Sequence, residues 1–394
     1  MPLLNSNLKS KIVNQKSLSG IYIHIPFCKQ ACHYCNFHFS TSLQLKDQLI
    51  AALVNEIHLT PASVIAPGKE ICETVYLGGG TPSILQTSDI KEIFEALHAK
   101  FIIPADAEIT LEANPDDITS AKLMLWKQAG INRLSVGIQS FLETELVWMN
   151  RAHTATDCLR CISEIKQAGF TNYSTDLIYG SPLLTNEDWK RNVMTVIENG
   201  IPHISCYALT VEPKTALDKM IARHKKKPVD ADRQAAQFML LMGWMAQAGY
   251  EHYEISNFAK PGLRSRHNSS YWQGKNYYGF GPSAHSYDGK KRRWNIANNA
   301  LYIQSMQKNN IPFEEETLTK TQQVNEYLMT ALRTIEGIDL EKISGVFGKK
   351  YSDGLLAQAG KYINTYKLKN INSTLILTNE GKLFADGIAA DLFF

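Results

Sequence analysis

The sequence predicts an α/β protein: a partial (β/α)6 TIM-like barrel followed by a smaller, mostly helical, winged-helix-like C-terminal domain. Between residues 20 and 208, short apolar runs alternate with longer segments of helical period. Strands separated by helices imply right-handed crossovers and a parallel sheet. Eight such units would close a barrel, and the six found here leave it open. From about residue 305 the chain turns helical and ends in a strand, a turn and a last helix.

Taken in order, the strands are "GIYIHI" (20–25), "ETVYLGG" (73–79), "AEITLEA" (107–113), "NRLSVGI" (132–138), "NYSTDLIYG" (172–180) and "HISCYALT" (203–210). The helices between them fall at 43–58, 87–98, 119–129, 155–168 and 186–198. Three of these run into Ala129-Gly130, Ala168-Gly169 and Asn199-Gly200, where glycine suits a left-handed C-cap. A further helix is expected over 230–248, then a polar-aromatic stretch over 250–289. Two helices within 321–348, a third at 352–364 and a strand pair suggest the winged-helix-like unit. The domain reading is a tail over 1–18, the barrel with its adjoining segment over 19–300, and the C-terminal domain over 301–394.

Composition narrows the class. With 394 residues, 44% hydrophobic and 20% charged, the chain is an ordinary globular protein. A net charge of +3 is too weakly basic to make nucleic acid the main partner, and the run "RHKKKP" (223–228) reads as a solvated loop. No stretch approaches 18 apolar residues, and the N-terminal residues lack a signal-peptide core. Seven cysteines with three in one cluster suit a reducing cytoplasm and a metal, not a disulfide framework. Cys72, Cys158, Cys161 and Cys206 read as small core residues.

The cluster is "CKQACHYC": Cys28, Cys32 and Cys35, directly after the first strand. Thiolates select zinc, copper(I) or iron–sulfur clusters. A structural zinc would need His33 or His38 as fourth ligand, yet zinc knuckles usually pair cysteines from separate segments. An iron–sulfur cube held by three thiolates keeps one iron open to a ligand. Polar or glycine residues also recur where later strands end or in the loops beyond them: Gly78 to Gly80 in "YLGGGTPS", Glu112 in "LEANP", Gln139 in "VGIQSF", Arg151 in "MNRAH" and Asp176 in "STDLIYG". Successive strand ends carrying such residues read as a polar pocket.

The spacing Cys-x3-Cys-x2-Cys resembles the signature of radical S-adenosylmethionine (SAM) proteins, in which SAM chelates the open iron. "YIHIPFC", "LGGGTPS", "EANPD", "RLSVGIQSF", "DLIYG", "RHNSSYW" and "GFGPSAHSY" resemble one branch of them. That branch comprises the oxygen-independent coproporphyrinogen III oxidases and the HemW heme chaperones, and the resemblance covers about residues 20–390. It implies Cys28, Cys32 and Cys35 as ligands of a 4Fe–4S cluster. It further implies SAM contacts at Tyr22, Tyr34, Gly79, Gly80, Thr81, Glu112, Gln139, Arg151, Asp176 and Ala208. His267, Asn268, Tyr271 and Trp272 match the HNxxYW pattern of the chaperones, where an imidazole can ligate heme iron and aromatic faces can lie on a porphyrin. His285 is a weaker candidate ligand, and His24 reads as a barrel-lining residue.

Two functions follow from the resemblance. One is a chaperone that holds heme, a cluster and SAM, and passes heme to an acceptor such as a respiratory enzyme; homodimerisation and peripheral membrane association belong with that reading. The other is radical decarboxylation of coproporphyrinogen III. The oxidases carry a fourth cysteine two places after the third, where this chain has Phe37, and a longer extension before the first strand than the roughly 20 residues here. Both departures point to the chaperone.

Overall fold

The structure, a computed structural model, describes residues 18–61 and 70–394. The tail expected over 1–18 lies outside them except for Leu18, which opens the first strand. Six parallel strands form the frame, side by side in chain order: β1 (Leu18–Ile25), β2 (Ile71–Gly79), β3 (Glu108–Ala113), β4 (Arg133–Gln139), β5 (Tyr173–Tyr179) and β6 (His203–Ala208). Between them run α1 (Lys46–Leu59), α2 (Thr87–Lys100), α3 (Ser120–Gln128), α4 (Glu143–Met149), α5 (Ala155–Gln167) and α6 (Asn186–Glu198). The expected open barrel is therefore present. Only α4 had no counterpart in the sequence reading, its seven residues being too few to show a helical period.

The two faces of the strands differ in chemistry. One parity (Ile21, Ile23, Val75, Leu77, Leu111, Leu134, Val136, Ile204) is wholly buried in the main apolar core together with residues of the helices. The other parity (Tyr22, Tyr76, Glu112, Ser135, Asp176, Ser205) faces the barrel interior and is polar. Burying that many polar groups is tolerated only where they pair with one another or with a ligand. A polar interior is thus the first structural sign of a site. Cys72, Cys158, Cys161 and Cys206 are buried among the apolar residues, as expected of small core side chains.

After α7 (Ala216–Ala222) and α8 (Ala231–Gln247), the chain forms β7 (Glu251–Glu254) and β8 (Asn257–Ala259), which extend the sheet antiparallel beyond β6. It then crosses through α9 (Arg266–Trp272) to β9 (Tyr277–Phe280), which pairs parallel with β1 at the opposite edge. The crossing is anchored beneath the strands. The amides of Arg266 and His267 donate to the Glu108 carboxylate at the start of β3 (3.1 and 2.9 Å), and Gly20 N–H donates to Asn276 (3.0 Å). The polar-aromatic stretch 250–289 is therefore two small strand pairs and a plug, in pieces of three to seven residues.

β10 (His285–Tyr287), β11 (Lys291–Asn295) and β12 (Phe313–Thr317) continue the sheet antiparallel, with α10 (Asn299–Met306) inserted. Tyr302, Ile303 and Met306 of α10 bury into the barrel's core. A second core begins at Val324 and runs to Leu392. It gathers α11 (Lys320–Leu332), α12 (Leu340–Phe347) and α13 (Lys349–Asn364) with the three-stranded sheet of β13 (Ile338–Asp339), β14 (Leu368–Ile371) and β15 (Thr374–Leu377). Three helices and a hairpin give the winged-helix-like unit expected. By packing, α10 sides with the barrel although most of it lies beyond residue 300.

Candidate functional site

The cysteine loop is fixed by its backbone. Cys28 N–H donates to Ser40 (3.0 Å) and Ser40 N–H to Pro26 (2.9 Å), so the loop leaves and returns beside the end of β1. His33 N–H donates to Met149 (3.0 Å), Leu217 N–H to His33 (2.7 Å), and Asn150 Nδ2 to Ala31 (2.8 Å). The clamp is thus the end of α4 and the turn after it, where Asn150 adopts a left-handed φ of 60°.

Glycine is required at the end of β2 for a steric reason. A Cβ on Gly80 would lie 2.6 Å from the Phe27 carbonyl, and one on Gly79, whose φ is +106°, 2.5 Å from the His24 ring. The closeness permits Gly80 N–H to bond Ile25 (2.9 Å) and Thr81 N–H to bond Phe27 (2.7 Å), which locks the cysteine loop to the strand end.

Cys28, Cys32 and Cys35 line one cavity of about 420 Å³ at the C-terminal ends of the strands. Tyr34, Gly79, Gly80, Thr81, Glu112, Gln139, Arg151, Asp176 and Ala208 line it too. Tyr22 lies outside the lining, with its hydroxyl on His24 Nδ1 (3.1 Å). The HNxxYW segment is elsewhere. His267 bonds Thr74, five residues before Gly79 on β2, which is about 17 Å along an extended strand. Both ring nitrogens of His267 are engaged, Nδ1 with Thr74 (2.8 Å) and Nε2 with Tyr271 (2.8 Å), and the residue is 1% exposed. His285 sits on β10 against Trp294.

The sulfurs have partners suited to thiolate. Arg151 donates to Cys32 Sγ (3.2 Å) and Thr81 Oγ1 to Cys28 Sγ (3.4 Å). Asn114 joins these two, donating to Thr81 (3.3 Å) and accepting from Arg151 (2.7 Å), while Arg151 also donates to Gly137 (2.8 Å). Asn114 adds to the site residues expected from sequence; it stands two residues after Glu112, shares its face and lines the same cavity. Burial pushes the Cys28 thiol up and the Cys35 thiol up to about 11. Glu112 accepts from Tyr76 (2.7 Å) and from Gly79 N–H (3.0 Å), and burial pushes its carboxyl up to about 7. Burial likewise raises Asp176 to about 6. Two buried carboxylates poised near neutrality in the lining of one cavity are suited to receiving a cationic ligand.

All seven cysteines are free, and the three in the cavity stand where they can bind a cluster jointly. Among the described residues, no group of three or more metal-ligating side chains converges on a single-ion site. A 4Fe–4S cube fits such a set, because each thiolate meets a different iron. Phe37, at the position of the oxidases' fourth cysteine, lies on the cavity rim with 68% of its surface exposed.

An open parallel barrel, with three cysteines after its first strand and a polar cavity at the strand ends, defines a radical SAM protein. The family model described as "Radical SAM superfamily" matches residues 22–211. The chain is 32% identical to the heme chaperone HemW of Bacillus subtilis (strain 168) over 375 residues, which is 94% of this chain and 98% of that one. Against HemW of Mycobacterium tuberculosis (strain H37Rv) it is 32% identical over 95% and 94% of the two chains, and against that of Escherichia coli (strain K12) 34% over 68% and 69%. Among solved structures, E. coli coproporphyrinogen III oxidase HemN, described as a radical SAM enzyme, superposes with a TM-score of 0.83. It does so over 96% of this chain and 90% of its own, at 23% identity, which is a likeness of fold. This chain belongs to the radical SAM superfamily and, within it, to the HemW family.

Proposed function

We propose that the chain is a cytoplasmic heme chaperone that carries a SAM-ligated 4Fe–4S cluster and hands heme to an acceptor protein. The observation that carries this is the match to heme chaperones along nearly their whole length. The exposed Phe37 agrees with it, since no thiol stands where the oxidases have their fourth. Cys28, Cys32 and Cys35 would hold the cluster. Gly79, Gly80, Thr81, Glu112, Gln139, Arg151, Asp176, Ala208 and Tyr34 would hold SAM, with Tyr22 supporting them from the layer beneath. When bound, the cluster supplies one-electron reduction of SAM. The protein's part is to orient SAM, to keep water out and to set the charge of Glu112 and Asp176. No described helix is long and apolar enough to cross a membrane.

The test is anaerobic. Cluster-reconstituted protein with SAM, a reductant and coproporphyrinogen III is expected to give no protoporphyrinogen, and the same protein is expected to bind hemin and pass it to an apo-acceptor. Multiple turnovers to protoporphyrinogen would establish the oxidase instead. His267, Asn268, Tyr271 and Trp272 are the proposed heme-contacting segment. Ligation by His267 requires its bonds to Thr74 and Tyr271 to open, so His267→Ala should alter the absorption spectrum of bound hemin; an unchanged spectrum would remove His267 as a ligand.

SAM binding should depend on pH through Glu112. Its folded pKa of about 7 leaves it mostly neutral at pH 6 and ionised at pH 8. If the carboxylate receives the SAM ammonium, affinity rises with pH across that window, by about tenfold at most for one coupled proton. In Glu112→Gln the rise should flatten to the smaller contribution of Asp176, as calorimetric titration at several pH values would show.

A further inference from the structure

The barrel interior holds a run of aromatic rings that shares Tyr22, His267 and Tyr271 with the proposed SAM and heme contacts but extends beyond them. It starts under the cavity at Tyr22 and Tyr76, whose ring centroids are 6.1 Å apart. Tyr76 stacks on His267 at 4.9 Å, and His267 meets Tyr271 edge-on at 4.9 Å. Tyr271 meets Tyr277 at 4.7 Å, and Tyr277 meets Tyr287 at 6.2 Å, where the run reaches half-buried positions on β9 and β10. Each phenol in the buried part has a proton acceptor: His24 Nδ1 for Tyr22 (3.1 Å), Glu112 for Tyr76 (2.7 Å) and His267 Nε2 for Tyr271 (2.8 Å). Oxidising a buried tyrosine is prohibitive while its proton stays on the phenol, because a cationic radical would have to be buried. A hydrogen-bonded base removes that penalty by taking the proton as the electron leaves.

We propose that Tyr76, His267, Tyr271, Tyr277 and Tyr287 form a one-electron path that joins the cavity to the opposite face of the barrel. Its use is to discharge a carbon-centred radical that finds no substrate in the cavity. In that step the radical R• gains an electron from Tyr76 and a proton by way of Glu112, which lines the cavity and bonds the phenol: R• + Tyr–OH gives R–H + Tyr–O•. Tyr76 is restored by an electron from Tyr271 and a proton that returns from cavity water through Glu112, while the Tyr271 proton moves to His267 Nε2 and comes back when Tyr271 is reduced in turn. The oxidised site then moves through Tyr277 to Tyr287, both half-buried, which release their protons to water as they are oxidised and regain them on reduction; a thiol or ascorbate-type reductant in solution supplies the last electron and proton. The discharge role rests on reading the cavity as a SAM site; the path itself does not.

The path can be tested without SAM. In the full chain carrying Cys28→Ser and Cys35→Ser, Cys32 is the accessible thiol, since the other four cysteines are buried. A thiol-reactive ruthenium photo-oxidant attached there places the oxidant in the cavity. With Tyr271 replaced by the more easily oxidised aminotyrosine, a flash is expected to give an aminotyrosyl radical by electron paramagnetic resonance. Tyr76→Phe, which keeps the stacked ring, should abolish that signal. Tyr253→Phe should leave it intact, since Tyr253 bonds His203 (2.8 Å) outside the run. No radical at position 271, or an undiminished one in Tyr76→Phe, overturns the path. If the path stands but a SAM-loaded, reduced chain yields no radical at position 271, the discharge role is overturned instead.

Discussion

Cys32→Ala is expected to reduce the iron and sulfide retained after anaerobic reconstitution from about four of each per chain to near background. Three thiolates already leave one iron without a protein ligand, so a chain with two would have to hold a cube by half its corners. Cys32 is also the thiol nearest a fixed charge, through Arg151 at 3.2 Å. Its loss therefore removes a ligand and leaves Arg151 without its bond to sulfur. The fold should survive. The loop's course is set by amide bonds to Ser40, Met149 and Leu217, none of which involves a sulfur, and Arg151 keeps Asn114 and Gly137. Unfolding by denaturant should accordingly shift by under about 1 kcal/mol, within the range of a substitution that leaves packing and caps intact. Iron retained at the wild-type level would overturn the ligand assignment.

The same division between side-chain chemistry and backbone scaffolding explains what was legible in the sequence. Cys28, Cys32 and Cys35 declare themselves because thiol chemistry is rare and their spacing is local. Glu112 and Asp176 are legible because a charged residue at the end of an apolar run needs a reason. The six strands and five of the helices show by period alone. The clamp of Met149 and Asn150 on the cysteine loop, by contrast, depends on backbone groups that any sequence offers, and α4 is too short to announce itself. Asn114 was within reach: the period-two rule that puts Glu112 inward puts Asn114 there as well.

The segment from Glu251 to Thr317 resisted for a different reason. Its strands have only three to five residues, too few for alternation to be distinguished from chance, and their partners lie far away in sequence. Glu108 and Thr74 position His267, but that role appears only once the chain has crossed beneath the sheet. The HNxxYW motif was therefore legible as a motif and not as a place. Its histidine is held by the barrel, and that is what makes it available to Tyr271 as a proton acceptor.

Glu56→Ala should cost about 3–5 kcal/mol of stability, because three buried donors lose one acceptor and each unsatisfied group carries roughly 1–3 kcal/mol. Glu56, on α1, is 3% exposed and accepts from Tyr302 (2.6 Å), Asn295 Nδ2 (2.6 Å) and the Gly281 amide (2.8 Å). Those donors belong to α10, to β11 and to the turn after β9, so one carboxyl fastens the antiparallel wing to the barrel. Burial pushes its pKa up to about 7, above the ordinary carboxyl value of 4.5. A folded pKa above the unfolded one means that the folded state binds the extra proton between those limits. The contribution of Glu56 to stability is therefore full below about pH 4.5, declines as pH rises to about 7 and is constant above it. The penalty of the alanine variant should accordingly be larger at pH 5.5 than at pH 8, as urea unfolding at the two values would show. A penalty that grows with pH would mean that Glu56 works as a stabilised carboxylate, its three donors outweighing the burial that raises its pKa.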